Sequence, residues 1–307
     1  MRVRDSSPLP AFSMVNAGAS ETSLEGVDDA YRWGLLQKCS QRATAASVVG
    51  VFRNHGIEPI VIKGIAVARY YPEDQWRKFT DVDLAVPAAD FERAKEVKLI
   101  AASGFQPIDL HNELRHLDTV PWADLFENSF VENIEGTDIR FLREEDHLRV
   151  VCVHWLTDGG AHKHRLWDIY WSVQNRSAGF DWDRCLNSVA ANRRKWVIYS
   201  IGMANKYLGL NLDALPFADE ASDLPAWLIR SLESEWRSET RLQPLHLFKR
   251  DPLGLWRQIV KRLPPNAIQA TIDMEGSLDA STRIHYQVGD ILKRSARSIG
   301  RLIRPAR

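Results

Sequence analysis

The run Thr80-Asp81-Val82-Asp83-Leu84-Ala85-Val86 constrains the fold more than any other stretch of this chain. Acidic and apolar residues alternate, and an extended strand has a side-chain period of two. On a strand spanning 81–86, both carboxylates project from one face, while Val82 and Leu84 enter a core on the other. A second strand is expected at Pro59-Ile60-Val61-Ile62, a short, β-branched, fully apolar run that suits a buried position. It ends at Lys63-Gly64. Around these strands the apolar spacing is helical from Val27 to His55, with Gly56 as the stop. Short helical stretches are expected at Ile65–Tyr71 and from Pro87 to Ser103, the latter stopped by Gly104. Gln106–His111 reads as a third strand. Phe130–Val131 and Asp138–Leu142 read as a hairpin across Glu135-Gly136.

From Glu144 the pattern becomes helical throughout, with segments expected at 144–157, 163–176, 181–192 and 194–209. Trp155, Trp167, Trp171, Trp182 and Trp196 supply much of the apolar bulk there. Residues 211–225, rich in Pro, Asp and Ala, read as a linker, and Leu263-Pro264-Pro265-Asn266 breaks the chain again. The expected class is therefore α+β: a small mixed-sheet unit at 23–143 followed by an all-helical unit at 144–290. A Ser-, Ala- and Pro-rich leader covers 1–22, and a basic tail covers 291–307.

At 307 residues and 45% hydrophobic composition the chain can bury a sizeable core. Lysine plus arginine equals aspartate plus glutamate at 40 each, a neutral balance that speaks against a long nucleic acid as partner. Cys39, Cys152 and Cys185 form no C-x-x-C pair, which argues against zinc and a disulfide framework and fits a reducing cytoplasm. No apolar run approaches the roughly 18 residues that span a bilayer.

Two adjacent carboxylates repel each other, so a sheet gains nothing from Asp81 and Asp83 unless a cation lies between them. Hard oxygen ligands at this spacing suit Mg²⁺, with Mn²⁺ as an alternative. The other reading is a surface strand with two solvated aspartates. Three neighbours weigh for a site. Lys63 offers a compact positive charge and Gly64 allows close backbone approach to phosphate oxygens, although an ordinary strand-to-helix turn has the same residues. Arg77 lies four residues before Asp81 and suits a carboxylate or a phosphate; the alternative is a surface arginine. Asp109, in Ile108-Asp109-Leu110-His111, would face the same side if its strand pairs beside the second. Three converging carboxylates can hold two metal ions about 4 Å apart. His111 shares a strand face with Asp109, as a substrate contact or a structural histidine.

The order of these features resembles a known family. Apolar strand, Lys63-Gly64, Tyr70-Tyr71-Pro72, Arg77, Asp81-x-Asp83, Gly104-Phe105 and Asp109-Leu110-His111 look like the polymerase-β-type nucleotidyltransferase superfamily. More narrowly, the chain is similar to a bacterial nucleotidyltransferase family whose motif reads L-K-G, then R-x-x-x-D-[IV]-D-L, then D-L-H. Glu145-Asp146-His147-Leu148, His154-Trp155 and Arg165-Leu166-Trp167-Asp168 match that family's later signature. The broader superfamily usually carries Gly-Ser where Lys63-Gly64 stands; a Lys-Gly turn also resembles abortive-infection nucleotidyltransferase toxins. Gly104 lies close before Asp109, so Asp118, in Leu117-Asp118-Thr119-Val120, competes as the third carboxylate.

The resemblance implies transfer of a nucleoside monophosphate from an NTP such as ATP to an acceptor hydroxyl, with release of pyrophosphate. Asp81, Asp83 and Asp109 would be the catalytic metal ligands, and Lys63, Gly64 and Arg77 the nucleotide contacts. The acceptor, a small molecule or a protein, would be chosen by the helical half. The alternative is a catalytically weak nucleotide- or partner-binding module on the same fold. His154 and Asp168 face each other if segments 144–157 and 163–176 pair antiparallel, either toward substrate or as a structural clamp. His162 and His164 read as solvated loop residues. The tail, with Lys293, Arg294, Arg297, Arg301, Arg304 and Arg307 beside Leu292, Ile299, Leu302 and Ile303, reads as a solvated terminus or as a weak contact to an anionic membrane surface.

Overall fold

The structure is a computed structural model that describes residues 21–73, 75, 77–101, 107–238, 240, 242–243, 245–248 and 250–303. The leader lies almost wholly outside the described residues, as do Ser103, Gly104 and Gln106. The chain forms two compact units. One comprises the chain up to residue 115 together with 121–143; the other comprises 116–120 together with 144–307.

The first unit is built on a five-stranded mixed sheet in the order β3-β2-β1-β5-β4. The strands are β1 (Ile60–Ile62), β2 (Val82–Val86), β3 (Ile108–Asn112), β4 (Phe130–Ile134) and β5 (Thr137–Phe141). β1 runs antiparallel to β2 and parallel to β5, while β2 and β3 are parallel. β2 starts one residue later than the alternation suggests, so Asp81 stands at its entry. The β4–β5 hairpin turns at Glu135 and Gly136, whose φ angles of 50° and 78° match the two positive-φ positions of a type I′ turn.

Helix α1 (Glu21–Asn54) and, after the short α2 (Gly64–Ala68), helix α3 (Phe91–Ala101) pack on the sheet. Their residues Ala45, Val48, Val49, Phe52, Ala94 and Val97 share one core with Val61, Val82, Leu84, Val86 and Ile108. The alternation in β2 is thus used as expected: odd and even residues separate, and the apolar set is buried. A further short helix, α4 (Trp122–Glu127), was not expected from the sequence and precedes the hairpin.

The second unit is helical: α5 (Glu144–Thr157), α6 (Leu166–Gln174), α7 (Trp182–Asn187), α8 (Ala191–Leu208), α9 (Ala218–Ser222), α10 (Ala226–Arg237), α11 (Pro252–Arg262), α12 (Ala267–Asp273) and α13 (Ile284–Ile303). Three acids occupy the first turn of α5, where they complement the helix dipole. Of the five tryptophans, only Trp155 and Trp196 are fully buried; Trp167, Trp171 and Trp182 are half-buried. The stretch 211–225 is not a linker. Leu212, Leu215, Phe217 and Ala221 bury their side chains, and α9 forms within it. The expected tail at 291–307 is likewise not separate, because α13 begins at Ile284 and continues through its first residues. Asn266 explains the break after Pro265, since its side chain accepts hydrogen bonds from the Ile268 and Gln269 amides as the cap of α12.

Candidate active site

The site grows out of strand register. Ile62 of β1 pairs with Asp83 of β2, and Asp83 pairs with Asp109 of β3. Directly paired residues point to the same side of a sheet, so the two carboxylates lie side by side on the face away from the α1–α3 core. His111 follows two residues later and shares that face. One ligand atom each from Asp83, Asp109 and His111 lies within 4.8 Å of the other two. β1 delivers Lys63 at its end, and the Lys63 Nζ sits 2.6 Å from Asp83 Oδ1 and 3.6 Å from Asp109 Oδ2.

Burial differs sharply within this cluster. Asp83 and Lys63 are 5% and 8% exposed, whereas the Asp109 side chain is about half exposed, at 52%. His111 Nε2 is 3.1 Å from Asp109 Oδ2 and 3.5 Å from Asp83 Oδ1. Those contacts are ion-pair distances without hydrogen-bond alignment: Asp83 Oδ1 and His111 Nε2 are both buried and have no aligned hydrogen-bond partner among the described residues. Charge crowding shows in the protonation equilibria. His111 beside it, above all, holds the Asp109 carboxyl well below the usual carboxylate range, against partial burial and with help from Lys63 and Lys98. Burial pushes the His111 imidazole down, but Asp109 and Asp83 outweigh it and raise its pKa. Asp81 is raised, first by burial and then by the negative charge of Asp83. It therefore lies in the field of the cluster without being one of the three convergent ligands.

The turn holding Lys63 has an unusual backbone. Lys63 adopts φ 50° and ψ −131°, a region that favours glycine, while the neighbouring Gly64 does not need its freedom. A Cβ on Gly64 would meet Phe79 and the Asp81 carbonyl only at ordinary contact distance, 3.5 Å. The conformational exception thus falls on the lysine, not on the glycine that the sequence singles out. Phe79 is buried, and its carbonyl accepts a hydrogen bond from Gln41 of α1, which fixes the approach to β2. Arg77 is half-buried in the same approach.

Asp118 is committed elsewhere. It is 3% exposed in the second unit, where Arg149 donates to its Oδ2 from Nε at 2.9 Å. Its Oδ1 accepts from the Thr119 amide at 2.8 Å. Arg149 also binds Asp146, which Arg184 holds at 2.7 Å on its other oxygen. His154 Nδ1 lies 3.3 Å from Arg165, which pairs with Asp158. Asp168 is buried in the first turn of α6. His162 and His164 are exposed, as expected. Of the candidates, then, Asp83, Asp109, His111 and Lys63 converge, with Asp81 adjacent; His154, Asp168 and Asp118 belong to the second unit.

Two carboxylates and an imidazole, with a buried oxygen and a buried nitrogen lacking aligned partners, fit a divalent cation. The nitrogen makes the set less purely oxygen than Mg²⁺ prefers and more congenial to Mn²⁺. No curated protein and no solved structure matches the chain. Residues 15–107, the stretch that contains β1, the Lys63-Gly64 turn, Asp81 and Asp83, match the model of a family described as uncharacterised nucleotidyltransferase.

Proposed function

We propose that this protein transfers a nucleoside monophosphate from an NTP to an acceptor hydroxyl and releases pyrophosphate. The observation that carries this reading is the convergence of Asp83, Asp109 and His111 on adjacent strands next to the Lys63 ammonium, with Lys63 and Asp83 inside the segment that matches the nucleotidyltransferase family. In the reaction the acceptor oxygen bonds to the α-phosphorus, the α–β bridging P–O bond breaks, and the hydroxyl proton passes to a base. A divalent cation held by Asp83 and Asp109, with Asp81 or His111 completing the set, supplies charge neutralisation of the triphosphate.

The chain's own residues divide the remaining work. Lys63 and the Gly64 amide bind phosphate oxygens, and Arg77 is placed on the same approach. Asp109, in contact with Lys63 and His111, suits a ligand role. Asp81, adjacent to the convergent three, would take the hydroxyl proton where His111 rather than Asp81 completes the cation's ligand set. Positioning and charge neutralisation then account for most of the acceleration.

One observation favours the alternative of a catalytically weak nucleotide-binding module. The Lys63 ammonium already neutralises Asp83 at 2.6 Å, where a cation would bind. The two readings separate in one experiment. Pyrophosphate release is measured for each NTP with Mg²⁺ or Mn²⁺ over a panel of hydroxyl acceptors, alongside calorimetric nucleotide binding. Turnover that falls at least about 10²-fold in Asp83→Asn is the expected result. Full activity in that variant sinks the proposal, and nucleotide binding without any release supports the module.

A further inference from the structure

Helix α13 is attached to its unit the wrong way round for a globular protein. An amphipathic helix normally turns its apolar stripe to the core. Here the polar side faces inward. Tyr286 accepts a hydrogen bond from the Ser277 amide at 3.1 Å, and Gln287 donates to the Pro265 carbonyl at 2.7 Å. Asp290 is 1% exposed and accepts from Arg294 at 2.8 Å, while Lys293 donates to the Asp273 carbonyl at 2.7 Å. Gly289 lies so close to Met274 that a Cβ there would meet its Cε at 2.8 Å.

The opposite arc carries Ile284, Val288, Ile291 and Leu292, spaced by four, three and one residues. They are 69, 50, 36 and 65% exposed. Spacings of three and four place them in one continuous stripe. The sequence carries further aliphatic residues beyond it, Ile299, Leu302 and Ile303.

An aliphatic stripe of this length in water requires a covering surface. Its charge context selects among the candidates. From Ile291 to Arg307 the sequence has no acid and six lysines and arginines, of which Lys293 and Arg294 are engaged with Asp273 and Asp290 while Arg297, Arg301, Arg304 and Arg307 follow in the sequence. The only acid on the helix, Asp290, is buried against Arg294. A second copy of the helix would bring two such basic segments together and repel itself. A specific protein partner would be expected to use aromatic anchors set in pockets, because interface hot spots are rich in Trp and Tyr. The exposed stripe is purely aliphatic and has no such anchor. Basic residues with a continuous aliphatic face match the requirements of a helix lying in the headgroup layer of an anionic bilayer. No helix among the described residues is long and apolar enough to cross a membrane, which leaves lying on the surface as the available mode.

We propose that α13 lays its aliphatic stripe on an anionic lipid bilayer and holds the protein at a membrane surface. This is independent of the nucleotidyl-transfer reading and needs no catalytic activity to test. The full chain is sedimented with vesicles of phosphatidylglycerol and with vesicles of phosphatidylcholine alone. The wild type is expected to pellet with the first and far less with the second, and to be released by high salt. Val288→Glu combined with Leu292→Glu, both on exposed positions, and Arg297→Glu combined with Arg301→Glu should each weaken binding by at least about tenfold. Circular dichroism checks that each variant stays folded. Wild-type protein that ignores phosphatidylglycerol vesicles overturns the proposal and leaves a protein partner for the stripe. Vesicle binding that both double variants leave unchanged also overturns it. Sedimentation velocity adds one more decisive outcome: a wild-type dimer that Val288→Glu/Leu292→Glu dissociates would assign the stripe to a second copy, against the proposal.

Discussion

Lys63 carries a strain that a pair of substitutions can isolate. Its backbone, at φ 50° and ψ −131°, suits glycine, and its ammonium reaches Asp83 at 2.6 Å. Lys63→Gly and Lys63→Ala remove the same ammonium and leave the same buried carboxylate, Asp83, without it. The two variants therefore differ only in the backbone at residue 63. Alanine retains a strain of about 1–3 kcal/mol for a side chain in this region. Glycine relieves it, but loses about 0.4–1 kcal/mol through the greater freedom of its unfolded chain. At the midpoints of those ranges the difference leaves Lys63→Gly more stable than Lys63→Ala by about 1.3 kcal/mol. The assay is urea unfolding followed by circular dichroism, comparing midpoints at equal slope. Both variants should also lose nucleotide affinity equally, because neither retains the cation. An alanine variant as stable as the glycine variant, or more so, would refute the reasoning, since it would mean that residue 63 has no strained conformation to relieve. If the prediction holds, the lysine is retained in a position that glycine would fill more stably, and its charge beside Asp83 is the reason.

Two further outcomes follow from charged contacts away from the site. Arg149 is 1% exposed between Asp118 and Asp146, at 3% and 0%. Arg149→Met should destabilise the second unit by about 3–5 kcal/mol in chemical denaturation, because it leaves Asp118 buried without its ion partner and Asp146 with Arg184 alone; a loss below about 1 kcal/mol would mean that those carboxylates are solvated. In the first unit, Glu58 receives Arg53 at 2.6 Å and Arg140 at 3.3 Å. Burial alone would raise its carboxyl, but the two arginines together bring it below its ordinary 4.5. A depressed carboxylate stabilises the fold above its unfolded pKa and loses that contribution as pH falls through the folded value. Thermal stability of the wild type should therefore drop more steeply below about pH 4.5 than that of Glu58→Gln, by no more than about 1 kcal/mol after solvent screening. Parallel pH curves for the two proteins would count against this pairing.

Much of the sheet was legible because strands state their own period. The β2 alternation, the apolar β1 run and the Glu135-Gly136 hairpin each follow from local chemistry that tertiary contacts do not alter. Helix α5 was equally legible, since its acidic first turn and apolar spacing agree. Residues 211–225 misled because Pro, Asp and Ala are the composition of a linker, while the decisive residues, Leu212, Leu215 and Phe217, are few and irregularly spaced. Composition averages over a window; burial acts on single side chains.

The site shows the same division more sharply. That Asp83 and Asp109 share a face depends on β2 and β3 being register partners, and the acid-apolar alternation in both strands points there. The choice between Asp109 and Asp118 is not readable from spacing, because it turns on where Arg149 lies, thirty-one residues after Asp118. The part played by His111 is similar. Its distance from Asp83 is set by the β2–β3 register, which places it opposite Ala85, two residues along the sheet. The small Ala85 side chain leaves that side of the strand open to an imidazole. The exposed face of α13 is the extreme case. Its periodicity identifies an amphipathic helix without saying which side packs inward, and the usual rule gives the wrong side here. Only Tyr286 and Gln287, bonded to the body of the unit, and the buried Asp290, paired with Arg294 of the same helix, reveal the inversion. A polar face that bonds to the body of the unit releases the apolar face for another surface. The same residues that attach the helix to the protein therefore aim its stripe outward.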